Sequence, residues 1–325
     1  MAPANRKDPK RSAASESDYS LMEFMADFPD DEACLQWLWR TRCETGQSNH
    51  AHCPRCEEIR PFKRYGTKQQ RQSWTCTACG LHMHPTAGTI FHKSSTSLHL
   101  WFYAMWLMTS TRCGISAKQL ERELGVTYKT AWRMFHLIRN ELMTQGDPER
   151  MAGPVEIDET FVGGRPRQGE VARYARETGN ASLKSAARAY AWRKQTPVWG
   201  VVQRGGQVAA KVVPSTKYRT LAPHIQMHVV PGSTVYTDHA TTYRSLKGFD
   251  HHTVDHRAHI YVSGNIHTNT IEGFWSLVKR GISGTHHAVS PKHLQGYVNE
   301  YVWRYNHRDD GRAMFLSLIL RAATV

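Results

Sequence analysis

The sequence lacks any long apolar stretch. Its best candidate, residues 98–108, contains His99 and falls well short of the roughly 18 apolar residues that a membrane-spanning helix needs. The first residues also lack the apolar core of a signal peptide. We therefore expect a cytoplasmic protein with no membrane partner.

The sequence also lacks the cysteine pattern of a disulfide framework. Seven cysteines in an intracellular protein predict metal ligands or free thiols before disulfides. Cys34 and Cys43 have no partner at ligand spacing, so we expect buried thiols there. Cys113 is interpreted as a core thiol.

Acidic residues are scarce relative to basic ones. The 325 residues include 28 Asp and Glu against 42 Lys and Arg, which gives a formal net charge of +14. This balance favours a polyanionic partner, and nucleic acid above others, since positive surface supplies most non-specific nucleic-acid affinity.

The length is enough for two or three domains. Residues 1–19 are small, charged and proline-containing, which predicts a disordered tail. Motifs and composition predict five further segments: an N-terminal helix at 20–47, a zinc ribbon at 48–92, a helix-turn-helix region at 93–146, a larger α/β domain at 150–310 and a C-terminal tail at 311–325.

Four of the cysteines form the most specific local pattern in the chain, C-x2-C-x19-C-x2-C. Each pair offers two thiolates, and a hairpin between the pairs can bring all four around one zinc ion. We therefore predict a zinc ribbon with one structural Zn²⁺, and we expect its basic stretch from Arg60 to Arg71 to contact DNA. The predicted ligands are Cys53, Cys56, Cys76 and Cys79.

A later stretch has the pattern of two helices joined by a tight turn. Ser116 and Thr127 can each cap a helix, and Gly125 supplies the turn between them. This layout predicts a helix-turn-helix whose second helix presents its N-terminal side chains to the DNA major groove, with a plain helical hairpin as the alternative. The expected DNA-contacting residues are Tyr128, Lys129, Thr130 and Arg133, and the positions expected to face inward are Leu120, Leu124, Ala131, Phe135 and Ile138.

After residue 148 the composition changes to strand-like runs. The alternating run V-E-I-D-E-T-F-V predicts the first strand, and a later Gly-Gly turn between apolar runs predicts a β-hairpin. Residues 165–196 are basic and weakly periodic, so we expect a mobile loop that meets phosphates. The predicted order is strand, strand, strand, helix, strand, helix, strand, helix.

Three acidic residues in this domain suggest its chemistry. Asp158 and Asp238 lie in strand-like runs, and Glu272 lies in a helix-like run. Hard divalent cations take oxygen ligands, and two such ions about 3.5–4 Å apart can clamp a phosphodiester. We predict that these carboxylates hold two Mg²⁺ or Mn²⁺ ions, with Asp158 bridging both.

Several neighbouring residues compete for these roles. Glu156 and Glu159 flank the first carboxylate, and Glu156 shares its strand face. Asp255 is the main competitor for the second carboxylate, but the strand that ends at Asp238 is more apolar. Asn269 can cap the helix of the third carboxylate or support a metal ligand, and we favour the cap.

The order of strands and helices resembles the ribonuclease H fold. The sequence resembles the bacterial insertion-sequence transposases of the DDE type that carry an N-terminal zinc ribbon and helix-turn-helix. The resemblance covers about residues 20–308, and 33 residues separate Asp238 from Glu272, as is typical of that family. Its markers are D-E-T-F-V-G-G, T-D-H, N-T-I-E-G-F-W-S-L-V-K-R-G and Y-V-N-E-Y-V-W-R-Y-N-H-R.

This resemblance implies a multidomain protein: a zinc ribbon and an all-α helix-turn-helix, followed by an α/β ribonuclease H-like catalytic domain with a mixed five-stranded sheet. It also implies that Asp158, Asp238 and Glu272 are the catalytic carboxylates. Lys279 follows Glu272 by seven residues on the same helix face, and the resemblance implies that Lys279 and Arg280 contact the DNA end.

We therefore expect a DNA transposase that binds terminal inverted repeats, cleaves DNA ends with two metal ions and joins them by 3′-hydroxyl attack. Its partner is double-stranded DNA, both the repeats and the target. Two DNA ends must meet, so we expect a homo-oligomer on DNA, associated with the nucleoid. The alternatives are a zinc-ribbon DNA-binding regulator and a ribonuclease H-fold nuclease without strand transfer.

Overall fold

The computed structural model describes residues 19–66, 73–111, 113–144, 149–163, 168–179, 182–238, 241–254, 267–309 and 313–324. They form two compact units: one runs to Met143 and resumes at His307, and the other extends from Thr144 to Asn306. The expected disordered tail lies outside the described residues except for Tyr19. No helix in the described ranges is both long and apolar enough to cross a membrane.

The first unit begins with two capped helices, α1 (Leu21–Asp27) and α2 (Asp31–Arg42). Ser20 and Glu23 form a reciprocal capping box at α1, and Asp30 accepts a backbone hydrogen bond at the start of α2. These side chains satisfy amide groups that a helix N-terminus leaves without partners.

A small antiparallel sheet follows α2, with its strands in sequence order. Trp39 of α2 stacks on Trp74 of this sheet, with ring centroids 4.6 Å apart. The sheet therefore shares an apolar core with α2, and Cys53 and Cys76 belong to that core. The strands are β1 (His50–Cys53), β2 (Glu58–Tyr65), β3 (Ser73–Cys76) and β4 (His82–Met83).

Three helices come next, and the last continues into a π-helical turn. Ser116 and Thr127 cap their helices through side-chain oxygens, and Gly125 takes the left-handed conformation with φ of 63°. The predicted caps and turn are therefore confirmed, and all five positions predicted to face inward are buried. The elements are α3 (Leu98–Ser110), α4 (Ala117–Leu124), α5 (Tyr128–Leu137) and the π turn Ile138–Leu142.

The second unit is built on a mixed five-stranded sheet, as predicted. The strands are β5 (Val155–Val162), β6 (Thr196–Gln203), β7 (Val208–Val212), β8 (Thr234–Asp238) and β9 (Asp250–Val254). Their spatial order is β7-β6-β5-β8-β9. β5, β6 and β7 pair antiparallel, whereas β5, β8 and β9 run parallel. The β6–β7 turn contains Gly205 with φ of 69°, as the predicted hairpin requires.

The stretch between β5 and β6 differs from the prediction. The mobile loop expected at 165–196 is wrong, because α6 (Gln168–Thr178) and α7 (Leu183–Lys194) form a helical hairpin there. Val171 and Ala186 belong to its small apolar core. The runs A-R-Y-A-R and A-A-R-A-Y-A are rich in alanine, the best helix former, which outweighs their weak periodicity.

Helices cover both faces of this sheet. Side chains alternate along β5, so Ile157 packs with α8 on one face while Glu156 and Asp158 lie on the face covered by α9 and α10. The helices are α8 (Tyr218–His228), α9 (Asn269–Gly281) and α10 (Leu294–Asn306), with shorter turns at Thr241–Ser245, Ile282–His286 and Pro291–His293.

The outer edge of β7 is bonded to side chains of α10. Asn306 accepts a hydrogen bond from the backbone N–H of Val208 at 2.7 Å and donates to its carbonyl at 3.0 Å. Gln295 accepts from the N–H of Val212 at 2.8 Å. A bare sheet edge invites pairing with other chains, so these amides both protect the edge and fix α10 along it.

The last helix returns to the first unit. The segment expected as a C-terminal tail contains α11 (Ala313–Thr324), which packs against α2 and α3. The ring of Phe315 stacks on Tyr19, with centroids 5.2 Å apart. The segment is apolar, and burial against α2 and α3 removes that surface from water.

Gly281 lies where α9 meets α10 in the second unit. A Cβ added there would overlap the phenol of Tyr301, so Gly281→Ala should lower the free energy of unfolding by about 2 kcal/mol through overpacking. Gly273 on the same helix has no atom of the described chain within 4 Å of an added Cβ. Gly273→Ala should therefore raise the free energy of unfolding by about 0.5–1 kcal/mol. Equilibrium urea denaturation compares the two, and equal effects would contradict the close packing.

Candidate active site

Parallel pairing of β5 with β8 brings two of the predicted carboxylates together. Ile157 aligns with Thr237, so the next residues, Asp158 and Asp238, lie on neighbouring strands and on the face that α9 covers. Both side chains are half-buried. Asp238 is the last residue of β8, so the pair lies at that end of the strand.

The third predicted carboxylate, Glu272, lies in the first turn of α9 and is exposed. Its Oε1 accepts a hydrogen bond from the hydroxyl of Thr268 at 3.0 Å. The prediction that Asn269 caps this helix is wrong, because Asn269 is the first helical residue and Thr268 occupies the cap position. Sequence reasoning missed Thr268, whose signal was its place four residues before Glu272, one helical turn away.

The charges of these carboxylates act on one another. The pKa of Asp158 is raised from 3.8 to about 7, chiefly by burial and next by the negative charge of Asp238. The backbone N–H of Glu159 opposes this rise, and the charge of Glu272 adds to it. The structure therefore brings Asp158, Asp238 and Glu272 into one electrostatic cluster.

A fourth carboxyl group, Glu159, adjoins this cluster. Its Oε1 accepts a hydrogen bond from the buried phenol of Tyr243. The pKa of Glu159 is raised to about 8, chiefly by burial, while the bond from Tyr243 opposes the rise and the charges of Asp158 and Asp238 add to it. Sequence reasoning missed Tyr243, because its bond to Glu159 spans 84 residues.

The structure separates one rival carboxylate from the cluster. Glu156 shares a strand face with Asp158, but it is fully buried and both of its oxygens accept hydrogen bonds. Its oxygens are therefore turned toward protein donors. The other rival, Asp255, lies outside the described residues, so the preference for Asp238 over Asp255 stays a prediction.

The donor chemistry of the cluster fits hard divalent cations, which prefer carboxylate oxygens. Its oxygens are spread more widely than the ligands of a closed metal cage. Within the described ranges, only four cysteines form a group of three or more ligand atoms that all lie within 4.8 Å of one another. The charges of Asp238 and Glu272 add to the effect of burial in raising the pKa of Asp158, and a bound cation would offset that repulsion.

Two basic residues follow the cluster along α9. Lys279 and Arg280 are exposed in the last turn of the helix. Lys279 lies seven residues after Glu272, so both project from the same side of the helix. The predicted apolar stripe on the other side of the helix is buried: Ile271, Phe274, Val278 and Ile282.

The four predicted zinc ligands of the first unit come together. The Sγ atoms of Cys53 and Cys79 are 3.6 Å apart, and those of Cys56 and Cys76 are 3.9 Å apart. Four thiolates bound tetrahedrally about 2.3 Å from a zinc ion would stand about 3.8 Å from one another, so this donor set fits Zn²⁺.

The remaining cysteines are not part of this group. Cys34 is buried as predicted, and Cys43 is half-buried. Cys113 is exposed, so its prediction as a core thiol is wrong. It lies beyond the end of α3, where the buried apolar face of that helix has ended.

The predicted DNA-contacting residues lie in the first turns of α5. Tyr128, Lys129 and Arg133 are exposed, and Thr130 is half-buried beside the helix cap. The ammonium group of Lys118 in α4 lies 5.3 Å from the ring centre of Tyr128. Lys129 and Arg133 therefore place exposed positive charge at this end of α5, and the ammonium group of Lys118 also pairs with Glu121 at 2.6 Å.

Comparison with known proteins points to mobile DNA elements. Residues 150–306 match the family model described as the ISXO2-like transposase domain. The chain is 30% identical over 263 residues to an uncharacterized protein in the transposable element ISH50 of Halobacterium salinarum, covering 79% of this chain and 85% of that protein. It is also 32% identical over 105 residues to an uncharacterized transposase-like protein of Haemophilus influenzae, covering 32% of this chain and 84% of that protein.

Replacing one zinc ligand should remove the metal. Cys56→Ser should abolish zinc binding and unfold the ribbon, because a structural zinc contributes on the order of 10 kcal/mol to the folding of such a module. The matched control is Cys113→Ser, which alters an exposed thiol outside the group. Metal analysis of the purified proteins checks this, and equal zinc contents in the two variants would contradict the site.

The raised pKa of Asp158 predicts a stability that depends on pH when Mg²⁺ and Mn²⁺ are left out of the buffer. The folded state holds this proton up to pH of about 7, whereas the unfolded chain releases it near 3.8. The contribution of Asp158 to stability is therefore full below pH 3.8 and falls as pH rises to about 7. Asp158→Asn has no such proton to lose. Its free energy of unfolding, relative to that of the wild type, should therefore rise by about 2 kcal/mol between pH 5 and pH 8. Urea denaturation of the zinc-loaded proteins measures the gain, and a pH-independent difference would contradict it.

Proposed function

We propose that this chain, which belongs to the ISXO2-like family of insertion-sequence transposases, cleaves the ends of a DNA element and joins them to target DNA. The observation that carries the proposal is the cluster of Asp158, Asp238 and Glu272. It lies within residues 150–306, which match the family model. Three mutually repelling carboxylates on rigid elements are costly for a protein that only binds DNA, and perturbed carboxylates of this kind are common at catalytic sites.

We infer a ribonuclease H-like fold for the catalytic domain at 150–310. The support is the sheet order β7-β6-β5-β8-β9, with three antiparallel strands followed by two that run parallel to β5. The three carboxylates then come from the first strand of the domain, the end of the fourth and the helix after the fifth. This placement is the one that the family resemblance implies.

The cluster is proposed to hold two Mg²⁺ or Mn²⁺ ions, which would activate the attacking oxygen and stabilise the leaving oxygen at a phosphodiester. Asp158 interacts with both other carboxylates, so it is the residue proposed to contact both ions. Asp238 and Glu272 would each hold one ion. The proton on Asp158 leaves as the carboxylate becomes a ligand, so metal affinity should rise with pH through about 7.

The first unit is proposed to recognise the terminal inverted repeats. The helix-turn-helix region at 93–146 would place α5 in the major groove through Tyr128, Lys129, Thr130 and Arg133. The zinc ribbon at 48–92 would add contacts to the DNA backbone. In the catalytic domain, Lys279 and Arg280 are proposed to bind the phosphates of the DNA end that Glu272 helps to process.

The reaction also implies an assembly and a place in the cell. Both ends of one element must be held together during transposition, so a homo-oligomer on DNA is proposed. The proposed partner is DNA, so the proposed location is the cytoplasm, at the nucleoid.

A strand-transfer assay tests this function directly. With precut oligonucleotides that carry the ends of the encoding element, the wild type should join the 3′ ends to a target in Mg²⁺ or Mn²⁺. Asp158→Asn, Asp238→Asn and Glu272→Gln should each reduce joining below detection, because each removes a charged oxygen ligand of the proposed metal site. All three should still bind the ends in a gel-shift assay.

The matched control is Asp250→Asn, which removes an exposed carboxylate from the neighbouring strand β9 and should join ends at the wild-type rate. Joining by any of the three cluster variants would exclude that residue from the site. Cleavage without joining by the wild type would favour a nuclease, and binding without cleavage would favour a regulator.

A further inference from the structure

Glu156 is fully buried in β5, two residues before Asp158 on the same strand face. Its Oε2 accepts hydrogen bonds from the backbone N–H groups of Thr270 at 2.8 Å and Ile271 at 3.0 Å. Its Oε1 accepts from the hydroxyl of Thr270 at 3.0 Å and from Nε of Arg204 at 2.7 Å. A buried charge is tolerated when it is paired and hydrogen-bonded, and these contacts meet that condition.

Through these bonds Glu156 caps α9 from a different strand. A helix leaves its first N–H groups without partners inside the helix, and a side chain at the cap position usually accepts from the second or third of them. Thr268, at the cap position of α9, makes no such side-chain bond. The second and third residues, Thr270 and Ile271, bond to Glu156 instead, and its negative charge also complements the helix dipole.

Because Glu156 caps α9, the hydroxyl of Thr268 bonds to a side chain rather than to the backbone of the helix. That hydroxyl donates to Oε1 of Glu272 at 3.0 Å. Thr268 is 2% exposed, whereas Glu272 is exposed. A buried, immobile donor therefore orients an exposed carboxylate that would otherwise have many rotamers.

Arg204 contacts the residues around Glu156 and the start of α9. Besides its bond to Glu156, it donates to the carbonyl of His267 at 2.7 Å, immediately before α9 begins. Its guanidinium also lies 4.2 Å from the ring centre of Tyr236 in β8. These contacts connect β5, β8 and the chain that enters α9.

We propose that Glu156 and Thr268 are positioning residues that set the place and orientation of Glu272 relative to Asp158, and thereby the affinity for Mg²⁺ or Mn²⁺. The inference rests on the proposed function. Glu156 and Asp158 share one strand, so a helix capped by Glu156 holds Glu272 at a fixed distance from Asp158. Groups that orient metal ligands in this way typically contribute about 10- to 100-fold to metal affinity.

The first test replaces Glu156 with Gln in the full-length, zinc-loaded protein without DNA. Glu156→Gln replaces one acceptor oxygen with a donor, so the amides at the start of α9 should exchange faster in hydrogen-exchange mass spectrometry. Mn²⁺ binding, measured by electron paramagnetic resonance, should weaken about 10- to 100-fold. Faster exchange with unchanged Mn²⁺ affinity would mean that Glu156 only stabilises the fold, and would overturn its positioning role.

The second test separates orientation of Glu272 from capping. Thr268→Val keeps the shape but removes the hydroxyl, so it should weaken Mn²⁺ binding while amide exchange at the start of α9 stays slow. Thr268→Ser keeps the hydroxyl and should restore Mn²⁺ affinity. Unchanged Mn²⁺ affinity in Thr268→Val would overturn the role of Thr268, and this pair decides the inference even if Glu156→Gln fails to fold.

Two control variants separate positioning from general destabilisation and from loss of the metal site. Asp30→Ala removes the cap of α2 in the first unit and should lower thermal stability without changing Mn²⁺ affinity. Asp158→Asn should lose Mn²⁺ binding at the cluster. Equal Mn²⁺ binding by the wild type and Asp158→Asn would refute the proposed metal site itself, whereas a loss confined to Asp158→Asn would refute only the positioning roles.

Discussion

The negative charge gathered on one face of β5 is the constraint on which the second unit depends. Glu156 and Asp158 lie two residues apart on the same face, yet their surroundings differ. Glu156 receives the N-terminus of α9 and the guanidinium of Arg204. Asp158 is half-buried beside other carboxylates, and its burial and their charges raise its pKa to about 7. One acid therefore holds the fold together, while the other carries unfavourable charge that a bound cation would relieve.

The packing around α9 serves the same arrangement. Gly200 pairs with Asp158 across β5 and β6, and a Cβ at Gly200 would overlap the indole of Trp275. Gly281 makes the corresponding room for Tyr301 at the other end of the helix. Because two side-chain-free positions let α9 lie close to β6 and α10, the exposed Glu272 projects from a helix that cannot shift easily.

In the first unit, the feature that needs stabilising is a very small sheet. Four cysteine sulfurs spaced for a tetrahedral zinc and the stacking of Trp39 on Trp74 both belong to the core of that sheet. Small modules of this size seldom fold on apolar contacts alone. The helices α4 and α5 belong to the same compact unit as this sheet, so the proposed DNA-contacting residues of α5 and the proposed zinc site lie in one unit.

Local patterns in the sequence determined the C-x2-C pairs, the capped helices of the first unit and the strands that hold Asp158 and Asp238, because each depends on residues close together in the chain. They did not determine α11 or the helices between β5 and β6, where alanine content and tertiary burial outweighed weak periodicity. Nor did they separate Glu156 from Asp158, since strand alternation treats the two alike. Only the tertiary structure decided that, because Thr270, whose N–H group donates to Glu156, lies 114 residues further along the chain, and no local periodicity encodes that contact.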